Sequence, residues 1–159
     1  MRSGVFPGTF DPVTEGHLDL IHRSRKVLDR VVIGVAEAHH KDTLFDLEER
    51  KRLIESSVGN LDGVQIVTFR GLLVDFVLEQ NAEVIIRGLR FVSDFEYEFQ
   101  LALMNRRLKP ELETLFFMPS AKYSYLNSSV IKEVARLGGD VSGLVPPAVV
   151  EAMRKRYAE

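Results

Sequence analysis

The sequence predicts an α/β fold: a doubly wound sheet of five parallel strands with helices on both faces. Short apolar runs recur along the chain, and strands that are buried on both faces have this composition. Segments with apolar residues at helical spacing separate the runs. The chain has 159 residues, enough for a sizeable core, so we expect one domain over residues 1–159.

Five apolar runs are the predicted strands, and breaker or polar residues bound them. Pro7-Gly8 ends the first run, and a turn at residues 60–63 precedes the third. The second run, Val-Val-Ile-Gly-Val, is uninterrupted, which is typical of an inner strand of a parallel sheet. The predicted strands cover residues 4–6, 31–35, 64–69, 84–86 and 115–118.

Helical spacing and capping signals predict six helices between and after these strands. Asp46, with Glu49 three residues later, has the pattern of a capping box, and so does Ser93 with Glu96. Asn127 or Ser128 opens the fifth helix, and prolines open the last. The predicted helices cover about residues 17–28, 47–58, 72–78, 93–108, 128–137 and 147–157.

The fourth predicted helix has a strongly apolar side. Phe95, Phe99, Ala102 and Leu103 share that side, and the opposite side is charged. A helix with this spacing normally packs its apolar side against the core. We therefore expect these four side chains to be buried.

The composition is that of an ordinary globular domain and excludes several classes of site. Hydrophobic residues make up 45% and charged residues 28% of the chain, and the net charge is −2. No nucleic acid or membrane partner is therefore expected. The chain has no cysteine, which excludes disulfides, thiolate nucleophiles and cysteine metal sites. Without a secretory signal or a run of about 20 apolar residues, a cytoplasmic protein is expected.

Polar clusters follow four of the five predicted strands. Residues 9–17 follow the first strand, Lys41 the second, residues 87–90 the fourth and residues 123–129 the fifth. Ligands of doubly wound sheets bind beyond the carboxyl ends of the strands. Segments that are far apart in sequence are therefore expected to converge on one crevice.

The first cluster has the features of a phosphate-binding turn. It leads from a strand into a helix, and a helix N-terminus favours phosphate because its backbone N–H groups are unpaired. Gly8 and Gly16 permit close approach of a ligand to the backbone. Thr9 adds a hydroxyl and His17 a ring nitrogen. An ordinary turn with a histidine at a helix start remains the alternative, because a four-residue pattern matches often by chance.

The cations of the other clusters have structural alternatives too. Lys41, taken alone, is a typical solvated loop lysine. Arg87 and Arg90 flank Gly88, and each offers a fork suited to phosphate. Either arginine could instead pair with a carboxylate of the next helix, namely Asp94, Glu96 or Glu98.

Two further features have ordinary structural interpretations that involve no ligand. Ser128-Ser129 at a helix start offers hydroxyl and N–H donors to phosphate, but simple capping is favoured from the residues alone. His39 and His40 are adjacent, so on an extended chain they point to opposite sides. We interpret them as surface histidines rather than metal ligands.

Taken together, these motifs resemble those of the bacterial phosphopantetheine adenylyltransferases, a family of the nucleotidyltransferase superfamily. Gly-Thr-Phe-Asp-Pro at residues 8–12 and Thr-Glu-Gly-His at residues 14–17 are similar to the Thr-x-Gly-His variant of the superfamily signature. Several motifs in the right order are more specific than any one of them. The resemblance covers nearly the whole chain and continues at residues 45–50, 86–90, 94–98 and 128–133.

The resemblance implies a Rossmann-like fold and transfer of AMP from ATP to 4′-phosphopantetheine, which gives dephospho-coenzyme A and pyrophosphate. It implies catalytic roles for Thr9, His17, Lys41, Arg90 and Ser129. It implies that phosphopantetheine is bound by Thr9, Lys41, Leu73 and Arg87. It implies that ATP is bound by Thr9, Phe10, His17, Gly88, Leu89, Arg90, Glu98, Tyr123, Ser124, Tyr125, Leu126, Asn127, Ser128 and Ser129.

The resemblance also implies a cofactor and partners beyond the substrates. Mg²⁺ is expected on the ATP phosphates, with few protein ligands of its own and no protein metal site. A homohexamer is expected, with subunit contacts from the region of the fourth helix. Feedback binding of coenzyme A is a further possibility that the resemblance raises.

Four residues depart from common patterns of the family. Glu15 replaces a frequent asparagine, Asp42 a frequent second lysine and Tyr123 a common tryptophan. Asn127 replaces the first serine of Ile-Ser-Ser-Ser, so it can still cap a helix but lacks that hydroxyl. The residues with implied catalytic roles are unaffected.

Three other functions compete with this prediction. A sister nucleotidyltransferase with another acceptor, such as nicotinamide mononucleotide or phosphocholine, would share the motifs. A nucleotide-binding module without chemistry would require a degenerate signature, yet Thr9, His17, Lys41 and Arg90 are all present. A dinucleotide-dependent oxidoreductase is disfavoured because no Gly-x-Gly-x-x-Gly follows the first strand.

Overall fold

The computed structural model describes residues 2–38 and 42–158. Its five strands pair in parallel in the order β3-β2-β1-β4-β5, which is the predicted doubly wound sheet. The fifth strand begins two residues earlier and ends one residue earlier than the apolar run that predicted it. The strands are β1 Ser3–Gly8, β2 Arg30–Ala36, β3 Val64–Phe69, β4 Val84–Gly88 and β5 Glu113–Phe117.

Six helices and one short 3₁₀ turn, Ala121–Tyr123, connect or follow the strands. Leu28 lies beyond the end of the first helix, in the turn before β2, where it is buried. The helices are α1 Glu15–Arg25, α2 Leu47–Val58, α3 Leu73–Glu79, α4 Val92–Leu108, α5 Ser128–Arg136 and α6 Pro147–Ala158.

The core lies on both faces of the sheet, because successive strand residues point to opposite sides. Ile33 and Ile86 belong to the larger buried cluster, which includes side chains of α1, α2, α5 and α6. Val32 and Ile85 belong to a second cluster with Val77 of α3. The prediction of helices on both faces is confirmed.

The prediction that the apolar side of α4 faces the core is wrong. Phe95, Phe99 and Leu103 are each 47% exposed. Glu98 is the one buried residue of α4. Helical spacing shows which side chains share a side, but what covers that side depends on the neighbouring elements, and in the described chain nothing covers this one fully.

The predicted start of α4 is also corrected. The helix begins at Val92, and Asp94 rather than Glu96 serves its first turn. The Asp94 carboxylate accepts the N–H groups of Arg90 at 3.2 Å and Phe91 at 3.3 Å. Asp94 has a shorter side chain than Glu96 and lies two residues earlier, so its carboxylate reaches these two N–H groups. The helix therefore starts before Ser93.

Two other helix starts form as predicted. At α2, Asp46 accepts from the Glu49 N–H at 2.8 Å, and Glu49 accepts from the Asp46 N–H at 2.8 Å. At α5, the Asn127 side chain accepts from Ser129 N–H at 2.9 Å and Val130 N–H at 3.3 Å. These caps fix the direction in which each helix leaves the sheet.

Candidate active site

A cleft of about 680 Å³ opens beyond the carboxyl ends of β1 and β4. The chain winds outward in opposite directions from these two neighbouring strands, and such a switch point is where doubly wound sheets bind ligands. The cleft brings together many predicted site residues from distant segments. Those that line it are Thr9, Phe10, His17, Arg87, Gly88, Arg90, Glu98, Tyr123, Leu126, Asn127, Ser128 and Ser129.

Four other predicted site residues do not line the cleft. A fifth, Lys41, lies outside the described residues. Leu89 donates its N–H to Phe117 at the edge of the sheet, and Leu73 packs against the core cluster near α3. Ser124 and Tyr125 follow the 3₁₀ turn, where Ser124 is partly buried and Tyr125 is exposed. Their roles toward ligands stay predictions.

His17 is held in one orientation by the start of α1. Thr14 is the N-cap, and its Oγ1 accepts the His17 N–H at 3.3 Å. The His17 Nδ1 in turn accepts the backbone N–H of Thr14 at 3.0 Å. A backbone N–H can only donate, so in the neutral ring the proton is on Nε2. Nε2 has no hydrogen-bond partner within the described residues, which leaves its N–H as a donor at the cleft.

The environment of His17 keeps the ring neutral. Burial, with a smaller contribution from the Arg90 cation, lowers the pKa of His17 from 6.5 to about 4. At neutral pH the ring therefore offers an N–H hydrogen bond rather than a positive charge. A neutral donor suits contact with a phosphate oxygen but not the role of a general acid near pH 7.

We expect this lowered pKa to make stability pH-dependent. The unfolded chain takes up a proton at His17 below pH 6.5 and the folded chain only below about 4. Stability therefore falls as pH drops through this window, by about 3 kcal/mol over the whole shift. His17→Gln should lose less thermal stability than the parent between about pH 7 and pH 4.5. Parallel losses in both proteins, followed by calorimetry, would contradict the assignment.

Phe10 packs beside His17 in an unusual backbone conformation. Its φ is +51°, in the left-handed region that bulky residues rarely adopt, at a cost of about 1–3 kcal/mol. The ring is buried, lies edge-on to His17 at 5.0 Å and to Phe6 at 5.5 Å between centroids. A Cβ on Gly8 would approach the Phe10 ring to 2.9 Å, so glycine is needed beside it. The Phe6 and Phe10 rings thus pack against the imidazole that Thr14 holds.

Arg87 pairs with the Glu98 carboxylate, which was one of the three acids of the next helix that the sequence offered as partners. Its Nε donates to Glu98 Oε2 at 2.7 Å and its Nη2 to Oε1 at 2.5 Å. Nη1 makes a long contact of 3.4 Å with the Pro7 carbonyl. Glu98 therefore orients the guanidinium from α4. The predicted phosphate role of Arg87 and the predicted ATP contact of Glu98 both stay predictions.

Arg90 links the loop after β4 to the segment before α5. Its Nη1 donates to the Leu126 carbonyl at 2.7 Å. Its Nε lies 3.5 Å from Asp94 Oδ2, in a partly exposed pair. One edge of the guanidinium is thus anchored, while the cation lies close enough to His17 to influence its pKa.

The start of α5 lies at the cleft, and Ser129 is among the residues that line it. The Ser128 hydroxyl is already used, because it donates to the Pro12 carbonyl at 2.9 Å. Asn127 caps the helix and occupies the N–H groups of Ser129 and Val130. Capping is therefore confirmed, while phosphate binding by Ser128-Ser129 stays a prediction.

Asp11 and Lys132 are cleft residues that sequence analysis did not identify. Asp11 is 5% exposed and accepts the N–H groups of Leu44 at 2.9 Å and Phe45 at 3.0 Å. Lys132 Nζ of α5 reaches the same carboxylate at 2.7 Å. In the sequence, Asp11 was distinguished only by its position between Gly8 and Pro12, two residues that interrupt regular secondary structure. Its partners are far away in sequence. The pair ties the β1–α1 turn to α5 and to the start of α2.

Breaking this buried pair is expected to cost stability. Lys132→Met removes the cation that bonds Asp11 and leaves the carboxylate with two backbone donors, and removing one partner of a largely buried pair costs about 3 kcal/mol. Lys155→Met is the control, because Lys155 pairs with Glu151 at a site where 74% of the lysine side chain is exposed. That change should cost less than about 1 kcal/mol. Equal melting temperatures of the two variants would show that the Asp11–Lys132 pair is not stabilising.

A family model described as cytidylyltransferase-like matches residues 5–134, which include most of the cleft. A phosphopantetheine adenylyltransferase of Moorella thermoacetica is 52% identical over 157 residues, 99% of this chain and 98% of the relative. One of Clostridium tetani is 53% identical over 156 residues, 98% of each chain. The chain belongs to the phosphopantetheine adenylyltransferase family.

A solved structure supports the fold that this family assignment requires. A putative nicotinate-nucleotide adenylyltransferase of Vibrio parahaemolyticus superposes with a TM-score of 0.74 over 100% of this chain and 97% of its own. Its sequence identity is 18%, so the likeness concerns the fold. The Rossmann-like sheet predicted for a phosphopantetheine adenylyltransferase is thereby confirmed.

Among the described residues, no group of three or more histidine, aspartate or glutamate side chains is arranged to hold a metal ion. None of the helices in residues 2–38 and 42–158 is long and apolar enough to cross a membrane.

Proposed function

We propose that the chain transfers AMP from ATP to 4′-phosphopantetheine and so forms dephospho-coenzyme A and pyrophosphate. The observation that carries this proposal is the extent of the similarity: relatives about half identical over 98% of their length are named for this reaction. The cleft supplies what the reaction needs, with phosphate donors from the loops after β1 and β4 and from the start of α5.

The reaction requires the protein mainly to align the two substrates and to stabilise negative charge. A phosphate oxygen of phosphopantetheine attacks the α-phosphorus of ATP, the new P–O bond forms, and the bond to the β-phosphate oxygen breaks. Pyrophosphate leaves with that electron pair. The nucleophile is already an anion, so no strong general base is required, and catalysis is alignment plus electrostatic stabilisation.

Each cleft segment has a proposed part in that alignment. The Nε2–H of His17, the Arg90 guanidinium and the N-terminus of α5 with Ser129 would hold the triphosphate. Thr9 and Lys41 would hold the attacking phosphate and the α-phosphate. Arg87, oriented by Glu98, would meet the phosphopantetheine side.

Mg²⁺ belongs to the proposal as a companion of ATP. The described residues include no ready-made cation site, and Asp11 is occupied by Lys132. The donor set therefore fits an ion carried by the nucleotide phosphates. When bound there, Mg²⁺ would neutralise part of their negative charge.

A homohexamer, feedback binding of coenzyme A and a cytoplasmic location complete the proposal. The exposed apolar side of α4 supports a subunit interface. Phe95 and Phe99 stack there at 5.5 Å between centroids, and Met104 is also exposed. An exposed apolar patch of this kind marks an interaction surface. The proposed use of ATP as substrate is compatible with the cytoplasmic location that we propose.

A panel of acceptors tests the substrate assignment. Pyrophosphate release from ATP and Mg²⁺ would be measured with 4′-phosphopantetheine, nicotinamide mononucleotide, nicotinate mononucleotide and phosphocholine. We expect kcat/KM for 4′-phosphopantetheine to exceed the others by at least about 100-fold, because a site built for one polar acceptor rejects those that leave its groups unpaired. Preference for a mononucleotide would reassign the acceptor, and release with none would exclude the reaction class.

Lys41→Ala is expected to lower kcat strongly and to weaken phosphopantetheine binding, while the affinity for ATP is mostly retained. The reason is the sequence position of Lys41 after the second strand, together with the phosphopantetheine contact that the resemblance implies for it. Calorimetric titration of each ligand separately measures the two affinities. Lys26→Ala, an exposed lysine after α1, is the control. Equal losses of both affinities would give Lys41 a shared or structural role instead.

A further inference from the structure

We infer that Arg50 is a positioning residue for the reaction: it holds the Thr9–Phe10 peptide so that the Phe10 N–H faces the cleft as a fixed phosphate donor. The inference deepens the proposed function and rests on it. Arg50 lies in the first turn of α2 and is 2% exposed. It is not among the described residues that line the cleft, so any effect it has on ligands acts through its neighbours.

The Arg50 guanidinium is bound by backbone carbonyls from three segments. Nη1 donates to the Thr9 carbonyl at 2.6 Å and to the Ala36 carbonyl at 2.9 Å. Nε donates to the Phe45 carbonyl at 3.2 Å. A charged donor makes shorter and stronger bonds than a neutral one. The turn after β1 is thereby fixed to the end of β2 and to the residue before the N-cap of α2.

Because a peptide unit is planar, fixing the Thr9 carbonyl also fixes the direction of the Phe10 N–H. The Thr9–Phe10 bond is trans, since Asp11-Pro12 is the one cis bond in the described chain. In a planar trans peptide the C=O and N–H point to opposite sides. The Thr9 carbonyl bonds the buried Arg50, which does not line the cleft, so the Phe10 N–H on the opposite side of the peptide is inferred to face the cleft that Thr9 and Phe10 line. Within residues 2–38 and 42–158 that N–H has no hydrogen-bond partner.

The peptide needs such an anchor because the backbone at Phe10 is strained. Its φ of +51° is unfavourable for a bulky side chain and persists only where the surroundings determine it. Arg50 fixes the peptide before Phe10. After it, the Asp11 carboxylate is fixed by the N–H groups of Leu44 and Phe45. A donor held in this way needs no reorganisation when charge develops on a phosphate oxygen, which is the condition for transition-state stabilisation.

Arg50→Lys is the principal test, because it keeps the charge but cannot reach three carbonyls with the same planar fork. Arg52→Lys, an exposed residue of the same helix, is the matched control. Both variants would be assayed at a temperature where thermal unfolding shows them folded. We expect kcat of Arg50→Lys to fall by at least about tenfold, a part of what loss of a whole donor costs, while the Kd for ATP changes by less than about threefold. Arg52→Lys should match the parent.

A second variant and a second measurement keep the inference testable if Arg50→Lys does not fold. Arg50→Gln retains two neutral donors and should show the same loss of kcat with the Kd for ATP preserved. In the unaltered protein labelled with [¹⁵N]phenylalanine, saturating pyrophosphate should shift the Phe10 amide resonance, assigned with Phe10→Leu. An unmoved Phe10 resonance would overturn the inference.

The outcomes separate this inference from the proposed function. A parent protein that is inactive with ATP and 4′-phosphopantetheine defeats the proposed function. An active parent with unchanged kcat in a folded Arg50→Lys variant defeats the role of Arg50 alone. Equal losses of kcat and ATP affinity would also defeat it, because they would indicate a general disturbance of the cleft rather than a donor aimed at the transition state.

Discussion

His17→Ala is expected to lower kcat by about 10²–10³-fold, the usual cost of removing one preorganised donor to a developing anion. The ring is oriented by Thr14, is kept neutral by burial and Arg90, and directs its proton-bearing Nε2 to the cleft. A donor that strengthens its bond as charge develops contributes more to the transition state than to ground-state binding. Affinity for ATP, measured by calorimetry, should therefore change by less than about threefold.

His22→Ala is the matched control for this prediction. His22 lies one and a half turns later on α1, is exposed, and bonds the Leu18 carbonyl through Nδ1 at 2.7 Å. Its loss should leave kcat unchanged. A folded His17→Ala variant with the kcat of the parent would remove His17 from the catalytic residues, whatever its effect on stability.

Arg90→Lys is expected to lower kcat/KM for ATP by about 10–100-fold, which corresponds to the loss of a hydrogen bond to a charged group. The arginine is anchored through Nη1 to the Leu126 carbonyl, and the rest of its fork is available to a phosphate. A lysine is a point charge that cannot hold the carbonyl and two phosphate oxygens together. The KM for ATP, kcat or both should therefore change.

Stability distinguishes this role from a structural one. The contact of Arg90 with Asp94 is a partly exposed pair at 3.5 Å, and such pairs contribute less than about 1 kcal/mol. The melting temperature of Arg90→Lys should stay close to that of the parent and of Arg107→Lys, an exposed control on α4. Unchanged kinetics with a lowered melting temperature would leave Arg90 as a structural residue.

The sequence predicted well those features that local patterns determine. The inner strands β1, β2 and β4 could be predicted because continuous apolar runs are unusual outside buried strands. The caps at Asp46 and Asn127 could be predicted because each depends on residues within one turn. The convergence of the motifs could be predicted from the parallel pairing of the strands, because parallel strands share one carboxyl edge.

Features that depend on distant partners could not be predicted in the same way. Asp11 and Lys132 are 121 residues apart, and neither residue has a local pattern that names the other. The pairing of Arg87 with Glu98 was one of several choices, because three acids follow at similar distances in sequence. The apolar side of α4 was assigned to the core because spacing does not show what covers a surface.

One missed feature was available in the sequence. Thr14 and His17 have the spacing of a capping box, with histidine in the place of the usual glutamate. That spacing predicts which ring nitrogen is occupied and hence which one is free. The left-handed backbone at Phe10 had no such signal, because phenylalanine is a residue that normally avoids it.

The central claim is that the attack occurs at the α-phosphorus of ATP, and identification of both products by mass tests it most directly. The protein would be incubated with ATP, Mg²⁺ and 4′-phosphopantetheine, with His17→Ala as a matched preparation. The account predicts dephospho-coenzyme A and pyrophosphate in equal amounts, with formation much slower in the variant. Formation of ADP or free AMP instead, or no product that contains both the adenylyl group and phosphopantetheine, would contradict it.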